Sequence, residues 1–570
     1  MSSDELMGWG LANLWNEGEE GCYMVRHGSR PVSDFGHARG GNDPNSDNLF
    51  EKAYPCLFPY GRGGIEADRP VEISFAEHVQ WALEYHDRRF RRHETFPFMC
   101  FGILQRRQAL LSARLEMRRP NFEQEARLLA TVTQEKLRVA VEEEQRGHIV
   151  SDPVIQALRK HVFAAAARVQ GSNSSRLQCR SQIFSTTIMK NPPSLWLTIN
   201  PVDIHDPIAQ VFAGADINLD AFCAMMGPDA ETRAENIATD PYAAAKFFNF
   251  IITAILETLF GIEVTKYQVR NRTGIFGRVS AYYGLTETQG RGCLHLHMLV
   301  WLEDAPTADE MTARLKSTEF REKVVVFIKT NLRAYLPGLE SSESVKAIPR
   351  EKGLAYNRPP NPNDVDFPQR LADFELRLAR SEQIHTCHPR RCLVQDKHGQ
   401  IVCKRRAPFH VSEVDEIDEK GTWHPKRLHA YVNGWIPAIL VNVRCNNDGK
   451  LLTNGEDTKN VTMYSTLYAA KKQGRNYNVS AVMAKGYAYH LQRLQQADNT
   501  AYLDDVRDIQ RLLLFRLVHS LNREQELAAT LVMLYLSGLG DLFRSHHYSP
   551  IYWFTFSRFL WKEFPLIPTM

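Results

Sequence analysis

His295 and His297 are separated by one residue in the run Gly292-Cys293-Leu294-His295-Leu296-His297-Met298-Leu299-Val300-Trp301, whose composition is that of a β-strand. A strand repeats every two residues, so both imidazoles point to one face while Leu294, Leu296 and Met298 take the other. Two neutral imidazoles so placed can grip one divalent ion. Glu287 and Gln289 are also two apart, and either can supply an oxygen as third ligand. Two nitrogens and an oxygen, with positions left open, suit Mg²⁺ or Mn²⁺ held against a phosphate, which the metal polarises and orients. Further on, Tyr464-Ser465-Thr466-Leu467-Tyr468 carries two phenols one helical turn apart, projecting from one face. A phenol, with an ordinary pKa of about 10, needs deprotonation or a nearby cation to attack phosphorus. Lys471 and Lys472 follow within a turn and can provide that field. A phosphotyrosine would conserve bond energy, so rejoining would need no ATP. Together the two features point to cutting and rejoining of DNA strands. Separately, each has a plain alternative: hydrogen-bonded histidines on a sheet, and tyrosines packing a helix.

A second cluster is His385-Thr386-Cys387-His388-Pro389-Arg390-Arg391-Cys392, followed by Cys403. Structural zinc takes four Cys/His ligands tetrahedrally. Cys387, Cys392 and Cys403 with either His385 or His388 would complete a Zn²⁺ site, the alternative being a loop with incidental thiols. The adjoining Lys404-Arg405-Arg406 would make this loop a DNA contact.

The elements that must position these residues follow from pattern. Residues 1–40, rich in Gly, Ser and Asp, read as a poorly ordered tail. Helical patterns cover about 74–92 and 97–118, and 122–167 reads as long amphipathic helices. Gly171-Ser172-Asn173-Ser174-Ser175 breaks that pattern and marks a domain boundary nearby. Ser194 to Pro201 and Val279 to Gln289 read as strands, the latter joined to the histidine strand through Gly290-Arg291-Gly292 as a hairpin. Ala243 to Phe260 is an apolar helix suited to packing on a sheet. Residues 305–335, 366–382 and 458–472 have helical spacing, 340–365 is a Pro/Asn-rich loop, and helices follow 500.

With 570 residues, the chain should hold roughly three or four domains. Its 44% hydrophobic and 24% charged content is that of a folded soluble protein. No apolar run approaches the ~20 residues of a membrane helix, and the acidic Met1-Ser2-Ser3-Asp4-Glu5 start lacks a secretory pattern. No membrane partner is therefore expected, and the ten cysteines should be reduced, in the cytosol or nucleus. A net charge of +3 does not by itself announce a nucleic-acid binder. Local clusters say more: Arg88-Arg89-Phe90-Arg91-Arg92, Lys404-Arg405-Arg406 and Lys471-Lys472-Gln473-Gly474-Arg475 could each meet phosphates or form a solvated face.

Several blocks, in order, resemble the replication-initiator (HUH endonuclease) part of Helitron rolling-circle transposases, the Helitron helicase-like domain. They are Phe58-Pro59-Tyr60-Gly61-Arg62-Gly63-Gly64, Phe101-Gly102-Ile103-Leu104-Gln105-Arg106-Arg107, Leu197-Thr198-Ile199-Asn200-Pro201, Phe212-Ala213-Gly214 and Ala243-Ala244-Ala245-Lys246-Phe247-Phe248. Next come Glu287-Thr288-Gln289-Gly290-Arg291-Gly292 running into His295-Leu296-His297, then Arg427-Leu428-His429, Arg444-Cys445-Asn446-Asn447-Asp448, and Tyr464 with Tyr468. The resemblance spans roughly residues 40–553.

It implies an α+β fold of HUH type: a central antiparallel β-sheet flanked by helices, with a mostly helical N-terminal region and a helical C-terminal segment. The implied divisions are 41–175 for the N-terminal region and 176–500 for the endonuclease domain, with a Cys/His insertion at 383–406. A helical segment at 501–570 would then precede a helicase. The resemblance further implies metal-dependent nicking and strand transfer on single-stranded DNA at transposon ends, in the nucleus. His295 and His297 would be ligands with Gln289 or Glu287 as the third, and Tyr464 and Tyr468 nucleophiles, one holding a DNA end while the other receives the next. Full transposases continue into a helicase with a Gly-Lys-Ser/Thr phosphate loop, which this sequence lacks. A truncated element, with a helicase acting in trans, is expected. The competing expectation is a DNA-binding remnant without activity. A metal-dependent hydrolase of another fold would want Asp-His soon after the pair, where Met298-Leu299-Val300 stands.

Overall fold

The histidine run is the middle strand of an antiparallel sheet. The computed structural model describes residues 49–65, 67, 70–71, 73–118, 122–223, 225–265, 268–289, 292–351, 353–390, 392–396, 398–453, 477–495, 506–549 and 553–564. Within them, β1 (Leu195–Asn200), β2 (Gly277–Thr288), β3 (Leu294–Leu302), β4 (Asn446–Leu451) and β5 (Leu542–Arg544) lie side by side in the order β4-β1-β3-β2-β5. A short strand, Thr273–Gly274, pairs off β2. All these pairings are antiparallel, and the fold is mixed α/β. The helices needed below are α1 (Phe96–Met117), α2 (Pro153–Ala166), α3 (Asn173–Lys190), α4 (Pro241–Ala254), α5 (Val479–Gln495), α6 (Val506–Arg523) and α7 (Ala529–Leu536).

Alternation along β3 divides two cores. Leu294, Leu296, Met298 and Val300 join Leu195, Leu197 and Ile199 of β1 in the larger core, closed by the apolar faces of α4 and α7. Leu299 and Trp301 point the other way, into a smaller core with Trp196, Tyr283 and Leu285 beneath Cys179 and Ile183 of α3. Burying one such large apolar side chain contributes roughly 1.5–3 kcal/mol, so β3, covered on both faces, anchors the sheet. The two histidines fall on the α3 face.

Pro241 begins α4 because its missing N–H is not needed in the first turn. Asp240 caps that helix by accepting from the Ala243 N–H. The helix continues through a wider turn at Ile255–Leu259, and the Pro241–Leu259 stretch of 19 residues contains an 18-residue window with a mean hydropathy of 1.3. Lys246, Asn249 and Glu257 interrupt it, so no unbroken apolar run reaches membrane length, although the helix expected at Ala243 to Phe260 is long and apolar enough to do so by length and composition. Here Ala244, Phe247, Phe248, Ile251 and Ile252 are buried against the sheet side of the core.

The helices before and after the sheet form one body. Leu110 and Ala113 of α1, Ile155, Leu158 and Val162 of α2, Met483 of α5 and Leu513, Leu514, Leu517 and Val518 of α6 share a core. Thus α5 and α6, on either side of the expected division at 500, pack together on N-terminal helices. The expected long helices of 122–167 are three, Phe122–Leu129, Gln134–Gln145 and α2. The break at Gly171 is one left-handed residue (φ 72) before Ser172 caps α3, accepting from the Ser175 N–H. The C-terminal segment, expected to be helical, also supplies strand β5, and the loop at 340–365 contains a short helix, Ser342–Ala347. The expected tail at 1–40, the Gly290-Arg291 turn and the helix at 458–472 lie outside the described residues.

Candidate metal centres

Cross-strand register assembles the first site. Glu287 of β2 lies opposite His295 of β3, and Leu285 opposite His297. On the other side, Thr198 of β1 faces His297. Partners directly opposite in an antiparallel ladder share a face, so Glu287, His295, His297 and Thr198 converge. The Nε2 atoms of the two histidines are 3.1 Å apart. Glu287 Oε2 is 3.7 Å from His295 Nε2 and 4.0 Å from His297 Nε2. Two imidazole nitrogens at about 2.1 Å from one ion and at right angles lie about 3.0 Å apart, so the donor set fits a single ion.

Burial keeps both rings in the form a metal requires. Desolvation lowers His295 to about 4, against a hydrogen bond with the Glu287 backbone that raises it. His297 is pushed down to about 3 by desolvation first and then by His295 and the Arg176 guanidinium. Both are neutral at physiological pH. Thr198 Oγ1 sits 3.0 Å from His297 Nδ1. With Nδ1–H donating to that hydroxyl, the Nε2 lone pair faces His295 and Glu287, the arrangement by which an outer partner orients a ligand. Trp196 stacks on the same ring, with centroids 5.3 Å apart and planes 11° apart. The metal-free alternative is a hydrogen bond between the two Nε2 atoms.

Gln289 lies at the exposed end of β2, where its Nε2 donates to Asn200 Oδ1 at 3.2 Å. Glu287 groups with the two histidines. Behind Glu287, Arg176 of α3 is almost fully buried. Its guanidinium donates to Asp541 Oδ2 at 2.9 Å and to the Thr286 carbonyl at 3.1 Å, and approaches Glu287 Oε1 at 3.8 Å. Sequence reading missed Trp196, Arg176 and Asp541, and included Thr198 only within a motif. Register and tertiary packing, not local spacing, bring them here.

The second site lies on a hairpin, Leu393–Gln395 paired with Ile401–Cys403. The hairpin brings Cys392 and Cys403 together, and His385 Nε2 lies 3.2 Å from Cys403 Sγ, 3.3 Å from Cys387 Sγ and 3.7 Å from Cys392 Sγ. A nitrogen and a sulfur bound tetrahedrally to one zinc are about 3.6 Å apart. The cluster of His385, Cys387, Cys392 and Cys403 is consistent with structural zinc. His388 contributes backbone instead: its N–H donates to Cys392 Sγ at 3.2 Å. Desolvation raises the Cys387 thiol to about 11, helped by Cys403 and Cys392. For Cys403 desolvation also acts upward, but the backbone N–H groups of Ala407 and Arg405 and the neighbouring thiols prevail and lower it. Metal binding at such a cluster would release the thiol protons.

The basic runs have separate fates. Arg91 pairs with the buried carboxylate of Asp240 at 2.8 Å, while Arg88 and Arg92 donate to the Ala213 carbonyl. The cluster at 88–92 therefore clamps α4 to the preceding chain, which corrects its reading as a phosphate-facing patch. Lys404, Arg405 and Arg406 are exposed beside Cys403. Tyr464, Tyr468 and Lys471, with the basic run 471–475, lie outside the described residues.

Residues 78–300 match the family described as Helitron helicase-like domain at N-terminus, a segment that ends within the histidine strand. No curated protein matches the chain.

Proposed function

This chain is Helitron-related, and we propose that it nicks single-stranded DNA and transfers the cut strand through phosphotyrosine, in the role of a rolling-circle transposase. The observation that carries the reading is the convergence of Glu287, His295 and His297 on one sheet face within the matched segment. These three would hold Mg²⁺ or Mn²⁺, with Gln289 near enough in sequence to contribute. When bound, the ion supplies Lewis-acid polarisation of the scissile phosphate. Burial keeps the imidazoles neutral, Thr198 orients His297, and Trp196 fixes the ring plane.

The phenol oxygen of Tyr464 or Tyr468 would attack phosphorus as its own proton departs, with Lys471 stabilising the phenolate. One P–O bond forms to tyrosine, one P–O bond to the sugar breaks, and the leaving sugar oxygen takes up a proton. The second phenol accepts the next strand, and the reverse reaction with a free hydroxyl rejoins DNA. The zinc hairpin would present Lys404, Arg405 and Arg406 to the phosphate backbone, and the setting would be the nucleus.

The test is cleavage of labelled single-stranded DNA with and without Mn²⁺, in the wild type and in Tyr464→Phe/Tyr468→Phe. Metal-dependent cleavage lost in the double variant supports the reading. DNA binding with no cleavage would instead identify a non-catalytic DNA-binding remnant.

A further inference from the structure

Arg176 places a buried positive charge beside a carboxylate that the preceding reading assigns to a metal. A guanidinium at hydrogen-bonding distance from Glu287 would compete with the ion for the same oxygens and repel it directly. Yet the closer carboxylate to Arg176 is Asp541, at 2.9 Å, while Glu287 Oε1 is 3.8 Å away. A second tether, from the guanidinium to the Thr286 carbonyl, aims the group along β2. Glu287 Oε2 meanwhile faces the two histidine Nε2 atoms. Asp541 immediately precedes β5, far outside the family-matched segment, and its backbone carbonyl also accepts from the Thr286 N–H at 2.8 Å. Its side chain and main chain thus act on the same point of β2 from the edge of the sheet.

We propose that Asp541 is a positioning residue for the metal centre: it holds Arg176 off Glu287 and so leaves that carboxylate available to the cation. The inference rests on the metal reading of Glu287, His295 and His297. It has a sign that a merely structural role does not share. Neutralising Asp541 frees Arg176 to close on Glu287, which weakens metal binding. Removing Arg176 in addition takes away the competitor and restores it. If the Arg176–Asp541 pair only braced the fold, losing both members would bind metal no better than losing one.

The experiment is calorimetric titration of the full chain with Mn²⁺, with thermal unfolding of each variant measured alongside. Asp541→Asn is expected to weaken Mn²⁺ binding by about 10-fold or more, the usual cost of losing an outer-shell partner. Arg176→Met/Asp541→Asn is expected to recover most of that loss, and Asp541→Glu to stay near wild type. In a Glu287→Gln background, Asp541→Asn should add nothing. Should Asp541→Asn fail to fold, Arg176→Met alone carries the test: affinity equal to or tighter than wild type supports the proposal, and weaker affinity overturns it. Unchanged binding in Asp541→Asn, or a double variant no better than that single one, also overturns it while leaving the metal reading intact. Wild type without His297-dependent Mn²⁺ binding would overturn both.

Discussion

His297 concentrates the chemistry of the first site in one side chain: Nε2 toward His295 and Glu287, Nδ1 toward Thr198, and a face on Trp196. His297→Ala should therefore abolish metal-dependent cleavage while the fold persists, because β3 keeps its apolar residues on both faces; unchanged cleavage would exclude the ligand role. Buried neutral histidines also make acid stability predictable. His490, 2.8 Å from an Arg516 nitrogen, is lowered to about 3 by desolvation and then by that guanidinium. Together with His295 and His297 it stays unprotonated in the folded protein at pH 5, whereas the unfolded chain binds a proton with a pKa of about 6.5. Unfolding then takes up protons, so stability falls as pH drops from about 6.5 toward the folded values. Each such group contributes a slope of about 1.4 kcal/mol per pH unit. In denaturant titrations between pH 6 and 4.5, His490→Gln should be less steep by that amount, and an unaltered slope would place the acid sensitivity elsewhere.

Among the described residues, the Cys/His hairpin has a small apolar core, little more than Cys392, Cys403 and Ala407 with Cys387, Leu393 and Phe409 against them. A bound ion would then supply its cohesion. His385→Ala should lose the bound zinc on metal analysis and His388→Ala should retain it, since only the first ring faces the three thiols; the opposite pattern would reassign the fourth ligand. The cap of α4 gives a stability prediction. Asp240 is fully buried, pairs with Arg91 and accepts from the Ala243 N–H. Replacing it with Ala strands a buried guanidinium and should cost about 3–5 kcal/mol in chemical denaturation. A loss below about 1 kcal/mol, the scale of an exposed pair, would mean water reaches the arginine.

These elements also show how far local pattern reaches. Strand β3, its partner β2 and helix α4 were legible because alternation and apolar continuity are local properties of the chain. The close grouping of Glu287 with the histidines needed cross-strand register, which two candidate oxygens on one strand face left open. Arg176 and Asp541 carried no signal at all: they meet across 365 positions, through packing of α3 beneath the sheet edge. The arginines at 88–92 misled for the same reason, since their carboxylate and carbonyl partners come from residues far along the chain.

At the scale of the whole molecule, the two ends of the described chain close on each other. Helices α5 and α6 complete the N-terminal helical core, and β5 completes the sheet beside Glu287. A chain ending at residue 495 would expose the positions that Leu513, Leu514, Leu517 and Val518 cover, and would lose Asp541. It should show no cooperative unfolding transition by circular dichroism. A sharp transition near the wild-type temperature would mean that the sheet folds independently of its C-terminal helices. The proposed link from this architecture to DNA chemistry is passage of a phosphoryl group from a strand to Tyr464 or Tyr468. The direct measurement is to incubate the full chain with end-labelled single-stranded DNA and Mn²⁺ and separate the products under denaturing conditions. A labelled band at the mass of protein plus DNA, absent without metal, absent in His297→Ala and absent in Tyr464→Phe/Tyr468→Phe, is the expected result. No such band under any condition, or one that persists in the double tyrosine variant, would contradict it.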